Sequence, residues 1–148
     1  MGKITEIRNF ASLVAGEPVI IPHYRKEWGL TMADSKPRLQ LPQNLDAYDA
    51  GDKQFRADFI KRCPMARGFA HVTLSILHEV GHHFNREIYL FYDDSNYMPR
   101  WVDGFDINHY SLPYEIVATE WAIKWLQNPE HRKQAKNFER KYFGYGND

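Results

Sequence analysis

The stretch His78-Glu79-Val80-Gly81-His82 lies inside a run that is apolar nearly all round a helix, and this pairing constrains the chain more than any other feature. From Met65 to about Ile88, Phe69, Val72, Thr73, Ile76, Val80 and Phe84 make one apolar helical face, and Leu74 and Leu77 add to the rest. A helix of that kind is central and buried. Two imidazoles and a carboxylate there are costly unless a metal or hydrogen-bond partners receive them. The spacing supplies the reason. Residues i and i+4 share a helical face one turn apart, so His78 and His82 can close on one tetrahedral zinc ion. Glu79 follows the first imidazole, and its carboxylate can take a proton from an attacking water without being a ligand, the general-base position of a zinc hydrolase. Shuffling this composition would yield about 0.02 such matches, so an ordinary helix with two incidental histidines is the weaker reading.

Two imidazoles and a base require a third ligand. The extended pattern with a third histidine fails, because position 85 is Asn and position 88 is Ile. A carboxylate from a later helix is the other option. Glu115 and Glu120 both fall on a helix expected from Pro113, a residue favoured in a first turn, to about Leu126. They lie about 140° apart round that helix, so both cannot face one ion. Glu115 is preferred. Ala118, one turn on, is small enough to let this helix pack close to the metal helix, and Trp121 and Trp125 follow on a face suited to the core. His83 is about 100° off the ligand face. His71 either lines the cleft or packs as a core histidine, and His23 and His131 carry no signal. Cys63 reads as a small buried residue.

The remaining elements follow from periodicity and punctuation. Ile4, Ile7, Phe10, Leu13 and Val14 form the stripe of a short helix over 3–15, ended by Gly16. Residues 19–21, 28–32 and 38–41 are short, proline-bounded runs that read as two or three edge strands. Residues 43–54 read as an acidic loop, 55–62 as helical, and 89–112 as a long aromatic-rich loop with room for a hairpin, where function is expected. Asn128-Pro129 opens a last helix to about Tyr142, with Ala135, Phe138 and Tyr142 facing inward and a basic outer face read as solvated.

Composition then removes alternatives. The 148 residues favour a single domain, 1–148. Lys+Arg and Asp+Glu are both 19, so no cationic surplus points to nucleic acid or an acidic membrane. One cysteine excludes an internal disulfide framework, and neither a signal peptide nor an 18-residue apolar run is visible. A cytoplasmic location is expected.

His78-Glu79-Val80-Gly81-His82 together with Glu115-x-x-Ala118-x-x-Trp121-Ala122 resembles the paired motifs of the ImmA/IrrE-type minimal zinc metallopeptidases of bacteria and phages, over about residues 70–126. The resemblance implies a gluzincin-like, helix-rich α+β fold of zincin type, with a small sheet of short strands beside the active-site helix. It implies Zn2+ held by His78, His82 and Glu115, with Glu79 as catalytic base. It also implies a peptidase acting on a protein or peptide substrate, in some members a regulatory protein. Thr119 stands where the family more often has Asn or Asp. Tyr110 and His109, from the aromatic loop, are the candidate oxyanion donors, ahead of Tyr114 and Arg100. The alternative is an inactive zinc-binding regulatory or interaction protein that keeps the fold.

Overall fold

The computed structural model describes residues 2–33, 35–88, 92–93 and 95–144. In chain order it contains α1 (Lys3–Ala15), β1 (Gly29–Ala33), β2 (Lys36–Gln40), α2 (Ala50–Arg62), α3 (His71–Phe84), β3 (Trp101–Val102), β4 (Phe105–Asp106), α4 (Pro113–Leu126) and α5 (Pro129–Phe143). Short 3-10 turns span Pro64–Gly68 and His109–Ser111. The architecture is α+β, helix-rich, with two small antiparallel sheets of two strands each among the described residues.

α3 is the centre. Every residue from Val72 to His83 is buried, and Leu74, Ile76, Leu77 and Val80 are fully so. Burying each of these aliphatic side chains contributes about 1.5–3 kcal/mol, which offsets the cost of enclosing the polar groups of the same helix. α1 packs on α3 and α5. Its Phe10 stacks on Phe138 at 4.5 Å and meets the edge of Trp125 at 5.9 Å. α4 lies along the other side of α3, and β1 also packs on α3.

The antiparallel pair β1–β2 sets Leu30 opposite Leu39 and Met32 opposite Pro37. The outer edge of β2 is covered by Ile20, whose N–H reaches Pro37 O at 2.9 Å and whose carbonyl accepts from Leu39 N at 2.8 Å. Among the described residues no other strand pairs with β1, and its second edge is unpaired by them.

Several expectations shift. The run 19–21 is a single bridge at Ile20 rather than a strand. β2 starts at Lys36 and includes Pro37, which the sequence reading placed outside as a boundary. α2 begins at Ala50, five residues earlier than expected. Asp49 and Asp52 form a capping box, each carboxylate accepting the other's backbone N–H at 2.8 and 3.0 Å, and supply the start signal the acidic stretch concealed. α3 runs from His71 to Phe84 rather than 65–88, because Pro64–Gly68 turns as a 3-10 segment and Phe69 is extended. Phe84, expected inside, is 49% exposed, and Leu13 of α1 is 55% exposed while Ala11 is buried in its place. Tyr89, Leu90, Phe91 and Asp94 of the aromatic loop lie outside the described residues. The rest of that loop holds the β3–β4 hairpin. Among the described residues no helix is long and apolar enough to cross a membrane.

Candidate metal centre

α3 and α4 approach closely at one point. A Cβ built on Gly81 would lie 2.4 Å from the carbonyl oxygen of Ala118, a backbone atom that cannot swing aside. The glycine inside the His-Glu-x-x-His segment is therefore a spacing device, and Ala118 is the small partner that meets it. This crossing brings α4 carboxylates within reach of α3 imidazoles.

At the crossing, His78, His82 and Glu115 converge, all buried, with one ligand atom from each within 4.8 Å of the others. His78 Nε2 lies 2.9 Å from Glu115 Oε2, His82 Nε2 lies 2.9 Å from Glu115 Oε1, and the two Nε2 atoms are 3.1 Å apart. A tetrahedral ion with bonds of about 2.0–2.1 Å has ligand atoms roughly 3.3 Å apart. The observed separations come within a few tenths of an ångström of that, so the donor set fits a metal ion in spacing and in chemistry. Glu120 is exposed on another side of α4, as the helical geometry requires.

The surroundings orient these donors. Thr119 Oγ1 lies 2.9 Å from His78 Nδ1, leaving Nε2 turned toward the cluster. Phe55 of α2 stands edge-on to the His78 ring at 5.0 Å, and the Tyr110 ring lies 6.0 Å away. Glu139 of α5 accepts from Ala70 N at 2.6 Å and from Thr73 Oγ1 at 2.5 Å, fixing the first turn of α3. The sequence reading missed Glu139; the only available signal was its place beside the inward stripe of α5.

The electrostatics separate the two glutamates. Burial pushes the Glu79 carboxyl up to about 7, aided by the nearby charges of Glu115 and Glu27 and opposed by His82. Burial also favours the neutral form of Glu115, but hydrogen bonds from His78 and His82, and their charge, outweigh it and hold this carboxyl far below the usual range. Burial lowers His78, with His82 and His109 adding to it and Glu115 opposing. For His82 burial is outweighed by Glu115 and Glu79, and the net shift is upward. Burial and the charges of Glu115 and Glu79 raise Tyr110, which stays a protonated phenol.

The cluster opens onto a cleft of about 870 Å³. His78, Glu79, His82 and Glu115 form its floor, residues 29–31 of β1 one wall, and Trp101, Phe105, His109 and Tyr110 another. His109 Nε2 sits 3.6 Å from Glu115 Oε2, so both loop candidates reach the site. Arg100 is exposed and Tyr114 packs 6.4 Å from the His82 ring, neither on the cleft wall. His83 is buried away from the cluster, 3.6 Å from Glu17. His71 is partly buried, 3.3 Å from Asp52 and from Ser75. His131, which carried no signal, stacks on Trp125 at 4.4 Å and bonds its carbonyl. Cys63 is buried and apart from the donors. On the basic face of α5, Arg132 donates to the carbonyls of Leu126 and Gln127, and Lys136 to that of Gly68. In comparisons with protein-family profiles, curated proteins and solved structures, the chain matches none.

Proposed function

We propose that this protein is a zinc-dependent peptidase. The single observation that carries the reading is the convergence of three buried donor atoms on one point, with the unligated carboxylate of Glu79 facing the same cleft. His78, His82 and Glu115 would hold the ion. A bound zinc ion supplies Lewis acidity, polarising a carbonyl and making a water more acidic.

Everything else falls to side chains of the chain. Glu79, buried beside the donor set and facing the cleft, can accept a proton from the attacking water and return it to the leaving amine. The Tyr110 hydroxyl has no hydrogen-bond partner among the described residues and keeps its proton, which suits it to donate to a developing oxyanion. His109, on the same 3-10 turn, flanks Glu115 and restricts its rotation. Phe55 and the Tyr110 ring keep water from the imidazoles. The unpaired edge of β1 along the cleft favours an extended polypeptide over a compact small molecule, since backbone N–H and C=O groups there can pair with a peptide.

The test is metal content followed by substitution. Purified protein should carry one zinc per chain by mass spectrometry, and His78→Ala and Glu115→Ala should lose it. Glu79→Gln should keep the metal and lose turnover of peptide pools by at least about 100-fold. Zinc retained with function unchanged in Glu79→Gln would instead mark a zinc-binding regulatory protein without turnover. Wild-type protein free of metal would end the reading.

A further inference from the structure

The cleft is asymmetric in charge. In a chain with equal numbers of acidic and basic residues, its lining holds six carboxylates (Glu27, Asp49, Asp52, Glu79, Asp106 and Glu115) and one ammonium, Lys26. A divalent ion would balance Glu79 and Glu115, and the rest still outnumber the ammonium. Glu79 is 7% exposed, faces the cleft and receives no hydrogen bond among the described residues.

Trp101, a large aromatic side chain that is 67% exposed, also lines the cleft. Its support is firm. Asp106 accepts from Arg100 N at 2.9 Å, from Asn108 N at 3.0 Å and from the Tyr97 hydroxyl. Gln54 Nε2 donates to Ile107 O at 2.8 Å, and Phe105 lies so close over Gly51 that a Cβ there would meet its ring at 2.7 Å. Trp101 pairs with Asp106 across the hairpin, so indole and carboxylate share a face.

We propose that the cleft selects a polypeptide segment carrying an arginine or lysine side chain, laid across the Trp101 indole with its charge among Asp106, Asp49 and Glu27. The inference rests on the peptidase reading and names its substrate class. An indole face attracts a cation strongly enough to change binding by about 2- to 30-fold. An aliphatic side chain covering the same ring would gain apolar burial but would strip water from the neighbouring carboxylates and bring no charge to replace it. The unpaired β1 edge would hold the segment extended, which sends alternate side chains to opposite walls.

The test uses zinc-loaded Glu79→Gln protein and two blocked heptapeptide pools, randomised except for a central arginine or norleucine. The arginine pool should bind about tenfold more tightly, shift the Trp101 indole N–H resonance, and lose its advantage in high salt. Trp101→Ala and Glu27→Gln, both at exposed positions, should each cut the preference about threefold or more, while Trp101→Phe keeps most of it. Equal binding of the pools, tighter binding of norleucine, no binding of either at about 1 mM, or a preference untouched in both variants overturns the proposal. Wild-type turnover is read separately. Turnover without arginine preference sinks this inference alone; arginine-selective binding with no turnover of any substrate sinks the peptidase reading.

Discussion

Thr119 Oγ1 sits 2.9 Å from His78 Nδ1, on the side of the ring turned away from the donor cluster. When His78 binds through Nε2, its Nδ1 must carry the proton and donate to that hydroxyl. Thr119→Val removes the acceptor and keeps the volume. Zinc affinity should fall about 10–100-fold in a chelator competition titration, with Thr119→Ser restoring most of it. Equal affinity in the valine variant would mean the ring is oriented by packing alone.

Gly81→Ala tests the crossing of α3 and α4. Alanine favours a helix by up to about 1 kcal/mol, so propensity alone predicts stabilisation. The 2.4 Å approach to the Ala118 carbonyl predicts the reverse. A net loss of about 1–3 kcal/mol is expected in urea unfolding, with weaker zinc binding because Glu115 moves with α4. An increase in stability would show that the helices part without cost.

Glu79 gives the metal-free protein a pH signature. Its folded carboxyl stands near 7 against an ordinary value of 4.5, so the folded state binds this proton more tightly than the unfolded state. The stability it contributes is full below about pH 4.5 and is lost as pH rises toward 7. The difference between wild type and Glu79→Gln in unfolding free energy should therefore fall by up to roughly 3 kcal/mol across that window. His82, which the Glu79 charge helps to raise, shifts with the substitution, so the difference reads the two groups together. A flat difference would mean that Glu79 is as well solvated folded as unfolded.

Glu139→Ala should destabilise the protein by about 1–3 kcal/mol, because Ala70 N and Thr73 Oγ1 are left without their acceptor. Amide exchange at the first turn of α3 should speed up before exchange elsewhere in that helix.

What the sequence makes legible is what local rules control. α1 and α5 end at Gly16 and Gly144, both in the left-handed conformation, and α4 and α5 open on prolines. Their bounds follow from punctuation. The cluster of His78, His82 and Glu115 follows from helical spacing plus one small residue. The start of α3 was not legible, because Phe69 continues the apolar pattern while its backbone is extended. What stops the helix there is Glu139, supplied from 69 residues downstream. Asp49 and Asp52 read as loop acidity when they are a cap, and Gly81 carried no expectation of its own although it sets the distance between two helices. Trp101 was one aromatic among many until the hairpin placed it on the cleft wall. Apart from the local cap of Asp49 and Asp52, these misses are tertiary contacts written in residues whose local preference points elsewhere.

The hold of Glu139 on α3 also has a consequence in time. A chain is synthesised from its N-terminus, so both histidines and Glu115 are made before the carboxylate that seats their helix. A nascent chain therefore holds all three donor residues before it holds the carboxylate that accepts from the first turn of α3.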